Sequence, residues 1–116
     1  METDIIKKIY EFKFQMRSFL REWAVKVSET SGLSDRMNSD GYYEFPNGGF
    51  PESGNGRIVG WKPRLVNGIC TDVDLLGVMR DGAKYPKSID YLDTDTLCSI
   101  YGAAKGGIYY SYGTWI

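Results

Sequence analysis

One amphipathic stretch, Asp4 to Val27, constrains this chain more than any other. Ile5, Ile9, Phe12, Met16, Phe19 and Trp23 recur at steps that alternate four and three, the period of a helix that buries one seam. Ile6, Leu20, Ala24 and Val27 widen that seam into a broad stripe. The spacing predicts a helix over about residues 3–28. Asp4 with Lys8 and Glu22 with Lys26 support it at the favourable i, i+4 offset. Glu2 and Asp4 lie where the helix dipole welcomes negative charge, and Ser31-Gly32 provides a stop. A coiled coil is the weaker reading, because the repeat lasts little more than three heptads and Phe and Trp fit poorly in a two-stranded seam. Packing of the helix on a sheet of the same chain is expected instead.

The rear of this helix is not purely polar. Tyr10, Phe14 and Val25 fall opposite Phe12 and Phe19, and Lys13, Arg17 and Arg21 form a row of one sign at i, i+4 spacing. Tyr10, Phe14, Arg17 and Arg21 are therefore candidates for an interface used in self-association or in binding a partner.

Between residues 29 and 56 aliphatic residues nearly vanish, while Gly, Ser, Asn, Asp and Pro gather. Connections of this length are uncommon in compact domains and are usually functional or disordered. Tyr42, Tyr43, Phe45 and Phe50 argue against disorder, which is aromatic-poor. Rigid aromatics among Gly and Asn resemble the composition of a binding loop, so these four residues are the first candidates for partner contact.

From Arg57 the pattern turns to strands. Arg57–Lys62 reads as a short strand closed by Pro63, and Arg64–Cys70 as a second, interrupted at Asn67-Gly68. The alternative is that Asn67-Gly68 forms a hairpin turn that sets Lys62–Val66 against Ile69–Val73. Asp81-Gly82 predicts a type I′ turn that pairs Leu75–Met79 with Ala83–Ile89. Pro86 confines the returning strand to an edge. Asp93-Thr94-Asp95-Thr96 starts a short helix over about 94–105, and Ile108–Tyr112 reads as a final strand. The expected fold is α+β in a single domain over residues 1–116. A long N-terminal helix packs on a small antiparallel sheet, with a short second helix before the last strand.

Function is constrained mainly by exclusion. The 116-residue chain has no histidine and a net charge of −1. That removes the commonest general base and metal ligand and any whole-molecule attraction to polyanions. Cys70 and Cys98 lack metal or redox spacing and are expected as two thiols in a reducing cytoplasm. No signal peptide or membrane span is evident, so a cytoplasmic protein, or one in an assembly formed there, is expected. Gly54-x-Gly56-x-x-x-Gly60 lacks the strand before and helix after that a dinucleotide site needs. Asp93-Thr94-Asp95-Thr96-Leu97 superficially resembles the opening motif of haloacid-dehalogenase-like phosphatases. However, Thr96 and Leu97 stand where that motif has Gly and Thr, and the chain is too short for that parallel-sheet fold. Asp72 and Asp74 share a strand face, and Asp90, Asp93 and Asp95 border a helix start, but solvation and capping account for them.

The sequence thus points to a non-catalytic protein-binding module with no cofactor and no metal, the size of a small phage or bacterial inhibitor or assembly component. The alternative is a nucleotide-type small ligand or single-stranded nucleic acid held by Arg57, Trp61, Arg64, Tyr110 and Tyr112. A small hydrolase is the remaining, weaker reading.

Overall fold

The computed structural model describes residues 2–29, 37–45, 48–52, 54 and 56–106. The expected strand Ile108–Tyr112, the expected helix stop at Ser31-Gly32 and the ligand candidates Tyr110 and Tyr112 lie outside them. The fold is α+β, with a long N-terminal helix on a small antiparallel sheet and a short helix after the last described strand. Helix α1 spans Glu2–Ser28. Strands β1 (Tyr43–Glu44), β2 (Phe50–Pro51), β3 (Gly56–Val66), β4 (Ile69–Met79) and β5 (Lys84–Ser88) follow, then a 3₁₀ turn, Ile89–Tyr91, and α2, Thr94–Lys105.

Strands β3 and β4 form an eleven-residue hairpin at the centre of the sheet. Its turn is Asn67-Gly68, with φ of 52° and 81°, the double left-handed geometry that matches strand twist. Strand β3 runs unbroken through Pro63, which the sequence suggested as an end; Pro63 pairs with Val73 in register. At the Asp81-Gly82 corner only Gly82 takes positive φ. The Gly82 N–H donates to Met79 O at 2.9 Å. The connection is therefore a longer loop, not the two-residue type I′ turn, and β5 begins at Lys84. Pro86 sits on β5, paired only with β4 among the described strands, where its missing N–H costs no ladder bond.

Register divides the sheet into two faces, because directly opposed residues share a side. Tyr43, Trp61, Leu75 and Lys87 align across the strands, as do Phe50, Ile58, Gly77 and Tyr85. This face meets α1, and Trp23 lies 4.6 Å from Trp61 between ring centroids. The core gathers Met16, Leu20, Trp23, Ala24 and Val27 of α1, Ile58, Trp61, Val73 and Leu75 of the sheet, Ile89 and Leu92, and Leu97, Ile100 and Ala104 of α2. Helix α2 starts as predicted, with the Asp93 carboxylate accepting from Thr96 N at 2.7 Å.

Gly77 has a specific packing role. A Cβ there would stand 2.1 Å from the Tyr85 ring. The absent side chain lets Tyr85 lie across the strand and donate its hydroxyl to the buried Glu52 carboxylate, which Lys87 also pairs. Burial, and then the hydrogen bond to Glu52, push the Tyr85 phenol up to about 12 from 10.0. A raised folded-state value stabilises the fold fully below the unfolded value, and that stabilisation disappears as pH rises through the folded one. The stability lost on Tyr85→Phe, measured by urea midpoints, is therefore expected to be largest at pH 8 and to shrink between pH about 10 and about 12. A gap constant across that window would count against this pairing.

Candidate functional site

The stripe on α1 is covered along only half its length. From Met16 onward its residues are buried against the sheet and α2. Before Met16 the same stripe continues, but none of its described residues belongs to the core. Ile5, Ile6, Ile9, Tyr10, Phe12 and Phe14 are 47–67% exposed, the densest cluster of exposed large apolar side chains among the described residues. At 3.6 residues per turn, Ile5, Ile9 and Phe12 point to the side that buries Met16, Leu20 and Trp23. The apolar arc also broadens here. Tyr10 and Phe14 occupy the sector that Arg17 and Arg21 hold farther along.

Only Phe12 has a described aromatic neighbour. Tyr101 of α2 meets it edge-on at 6.3 Å and meets Phe19 at 5.2 Å. Helix α2 thus marks the limit of cover, and roughly three turns of α1, about 16 Å, extend past it.

The rear-face candidates divide. Tyr10 and Phe14 are exposed, as a contact surface requires. Arg17 and Arg21 are not available in the same way. Both turn onto the 3₁₀ segment, where Arg21 Nη2 lies 3.2 Å and Arg17 Nε 3.7 Å from Asp90 Oδ1. They fasten the covered half of α1 to the body of the protein.

The aromatic loop is a correction. Tyr43 and Phe45 are only 7% and 5% exposed, and both belong to the core. Tyr43 lies 4.8 Å from Trp61, and Phe45 meets Phe50 edge-on at 5.2 Å. Two short strands, β1 and β2, lay this segment along β3 and turn alternate side chains inward. Phe45 N also donates to the bulged Val59 O at 2.9 Å. Phe50 is half-buried, and Tyr42 is half-buried under Lys62 Nζ, 4.6 Å from the ring centroid. The composition that resembles a binding loop here closes one side of the core.

Of the ligand candidates, Arg57, Trp61 and Arg64 are described, and these three do not converge. Trp61 is 3% exposed and faces α1. Arg57 donates to Gly48 O and Gly49 O. On the outer face Arg64 pairs with Asp74 and lies 3.8 Å from Asp72. Ser88 and the Val73 N–H satisfy the Asp72 carboxylate as well. The acidic pair singled out in the sequence is thus neutralised internally. Among the described residues no group of three or more His, Cys, Asp or Glu is placed to hold a metal ion. Cys70 and Cys98 are free thiols. No described helix is long and apolar enough to cross a membrane.

Two other surfaces lie away from the α1 stripe. The β3–β4 hairpin tip exposes Leu65, Val66 and Ile69, a smaller patch. Beside it an open groove of about 440 Å³ is lined by Arg21, Glu22, Val25, Lys26, Glu29, Gly68 and Cys70. Its charged lining mixes both signs. No family model, curated protein or solved structure matches this chain.

Proposed function

We propose that the protein is a non-catalytic protein-binding module whose docking element is the first half of α1. One observation carries this reading: the stripe that is core from Met16 onward stays about half exposed from Ile5 to Phe12, with none of those residues in the core. A helix apolar over so wide an arc is normally enclosed. The mode fits an amphipathic helix laid in a groove, read through anchors at i, i+4 and i+7, here Ile5, Ile9 and Phe12. An inhibitor or an assembly component of phage or bacterial type uses such a surface, as does a chain that associates with itself.

The test is affinity capture with three baits: the intact chain, Ile9→Asp and Ile69→Asp. Both positions are exposed, so each variant is expected to keep its melting temperature, surface changes costing within about 0.5 kcal/mol. A partner captured by the intact chain is expected to be retained by Ile69→Asp and lost by Ile9→Asp. Equal capture by all three baits places the contact elsewhere.

A further inference from the structure

The geometry points to an acidic amphipathic partner: a helix, or a helix-lined groove, with an apolar ridge bordered by carboxylates, seated on the bare half of α1. This rests on the reading of α1 as the docking element and adds the chemistry of what it receives.

The argument starts from where the charges stand around the stripe. With 3.6 residues per turn, Ile5, Ile9, Phe12 and Met16 centre on one line. Lys8 and Lys13 lie about 70° to either side of it. Of the acids at this end of α1, Asp4 and Glu11 take helix positions more than about 100° from the line, and Glu2, ahead of Ile5, takes one about 50° from it on the Lys13 side. The apolar line is therefore bordered on both flanks by ammonium groups. Among the described residues neither Lys8, which the sequence spacing sets against Asp4, nor Lys13 makes an ion pair.

The covered half of the helix shows what such a border receives. Arg17 follows Lys13 by one turn, and Arg21 follows Arg17. Both guanidinium groups meet Asp90, which comes from the 3₁₀ turn Ile89–Tyr91. The basic row Lys13–Arg17–Arg21 is met by an acid wherever the protein covers it, and is unmet where cover stops. A partner extending the same packing over Ile5–Phe12 would place carboxylates beside Lys13 and Lys8.

The same charges disfavour a second copy of the chain. Lys8 and Lys13 take the two positions that flank a helical seam. A parallel pair sets Lys8 of one copy against Lys13 of the other, and an antiparallel pair sets like flanks together. Like charges across a helical contact repel.

Two synthetic three-heptad helices serve as probes. Both carry Ile and Leu on the seam; one has Glu at every flanking position and the other Lys. Fluorescence anisotropy against the full-length protein is expected to show saturable binding of the Glu peptide, at least tenfold tighter than its Lys twin at low salt. The preference is expected to weaken as salt rises. Lys8→Glu with Lys13→Glu is expected to reverse the preference, and Ile9→Asp to abolish binding of both peptides with the melting temperature unchanged. Equal affinity for the two peptides, a preference untouched by the lysine changes, or no binding of either overturns the acidic-partner inference. Light scattering that finds a dimer dissociated by Ile9→Asp also overturns it, in favour of self-association. If Ile9→Asp still removes partner capture while the peptides bind alike, the docking reading stands and only the partner's chemistry is wrong. If Ile9→Asp changes neither assay, both readings fall.

Discussion

Tyr43→Ala combined with Phe45→Ala is expected to lower the melting temperature by at least about 20 °C, and to weaken any partner binding only by unfolding the protein. Replacing a buried aromatic with Ala removes its transfer energy and leaves a cavity, together about 3–5 kcal/mol. Both side chains are core, one against Trp61 and the other against Phe50. Trp61 lies on β3 between β1 and β4, which limits collapse into the space. The effects will not add fully, because the two residues share one cluster. Even so the loss is large beside a total stability of about 5–15 kcal/mol. In a domain of this size each kcal/mol moves the midpoint by about 4 °C. Calorimetry and near-ultraviolet circular dichroism check this directly. A double variant that melts within a few degrees of the parent, yet loses a partner, would return these aromatics to the surface as a contact loop.

This loop shows where sequence reading reaches its limit. Tyr and Phe among Gly, Asn and Pro describe a rigid, turn-rich segment, but composition carries no sign of which side faces water. What decides it is the two-residue pairing of β1 and β2 with β3, too short to leave a periodic signal. Trp61 was misread for a related reason. An aromatic next to Arg57, Lys62 and Arg64 suggests a stacking surface, whereas strand alternation turns Trp61 to the core and the neighbouring cations outward. Other elements were legible because their physics is local. The 4-3-4 spacing located α1, Asn67-Gly68 offered the central hairpin as one of two readings, and Asp93 capped α2. The Tyr85–Glu52–Lys87 cluster left no local trace. It depends on Gly77 standing opposite Tyr85 across two strands, a register that the Asp81-Gly82 corner alone misassigned. Likewise, the row Lys13–Arg17–Arg21 was visible, but not the Asp90 that meets its latter part.

Leu20→Ala is expected to destabilise the protein by about 2–5 kcal/mol, whereas Ile9→Ala, a truncation of the same kind on the same stripe, is expected to change stability by less than about 0.5 kcal/mol. The periodicity that defines the stripe treats the two positions alike. The structure separates them: Leu20 is 1% exposed and Ile9 47%. An amphipathic pattern reports which face of a helix is apolar, but not how far the neighbouring layer reaches along it. Here the sheet and α2 reach about as far as Phe12, through Tyr101. Beyond that point none of the described stripe residues belongs to the core, so truncation there is expected to cost little. The proposed docking surface rests on that apolar character. The pair of truncations, measured by urea unfolding, tests that division independently of any partner. A loss at Ile9 comparable to that at Leu20 would mean that this end of α1 is already covered within the chain, and the docking surface would have to be sought at the hairpin tip around Leu65, Val66 and Ile69.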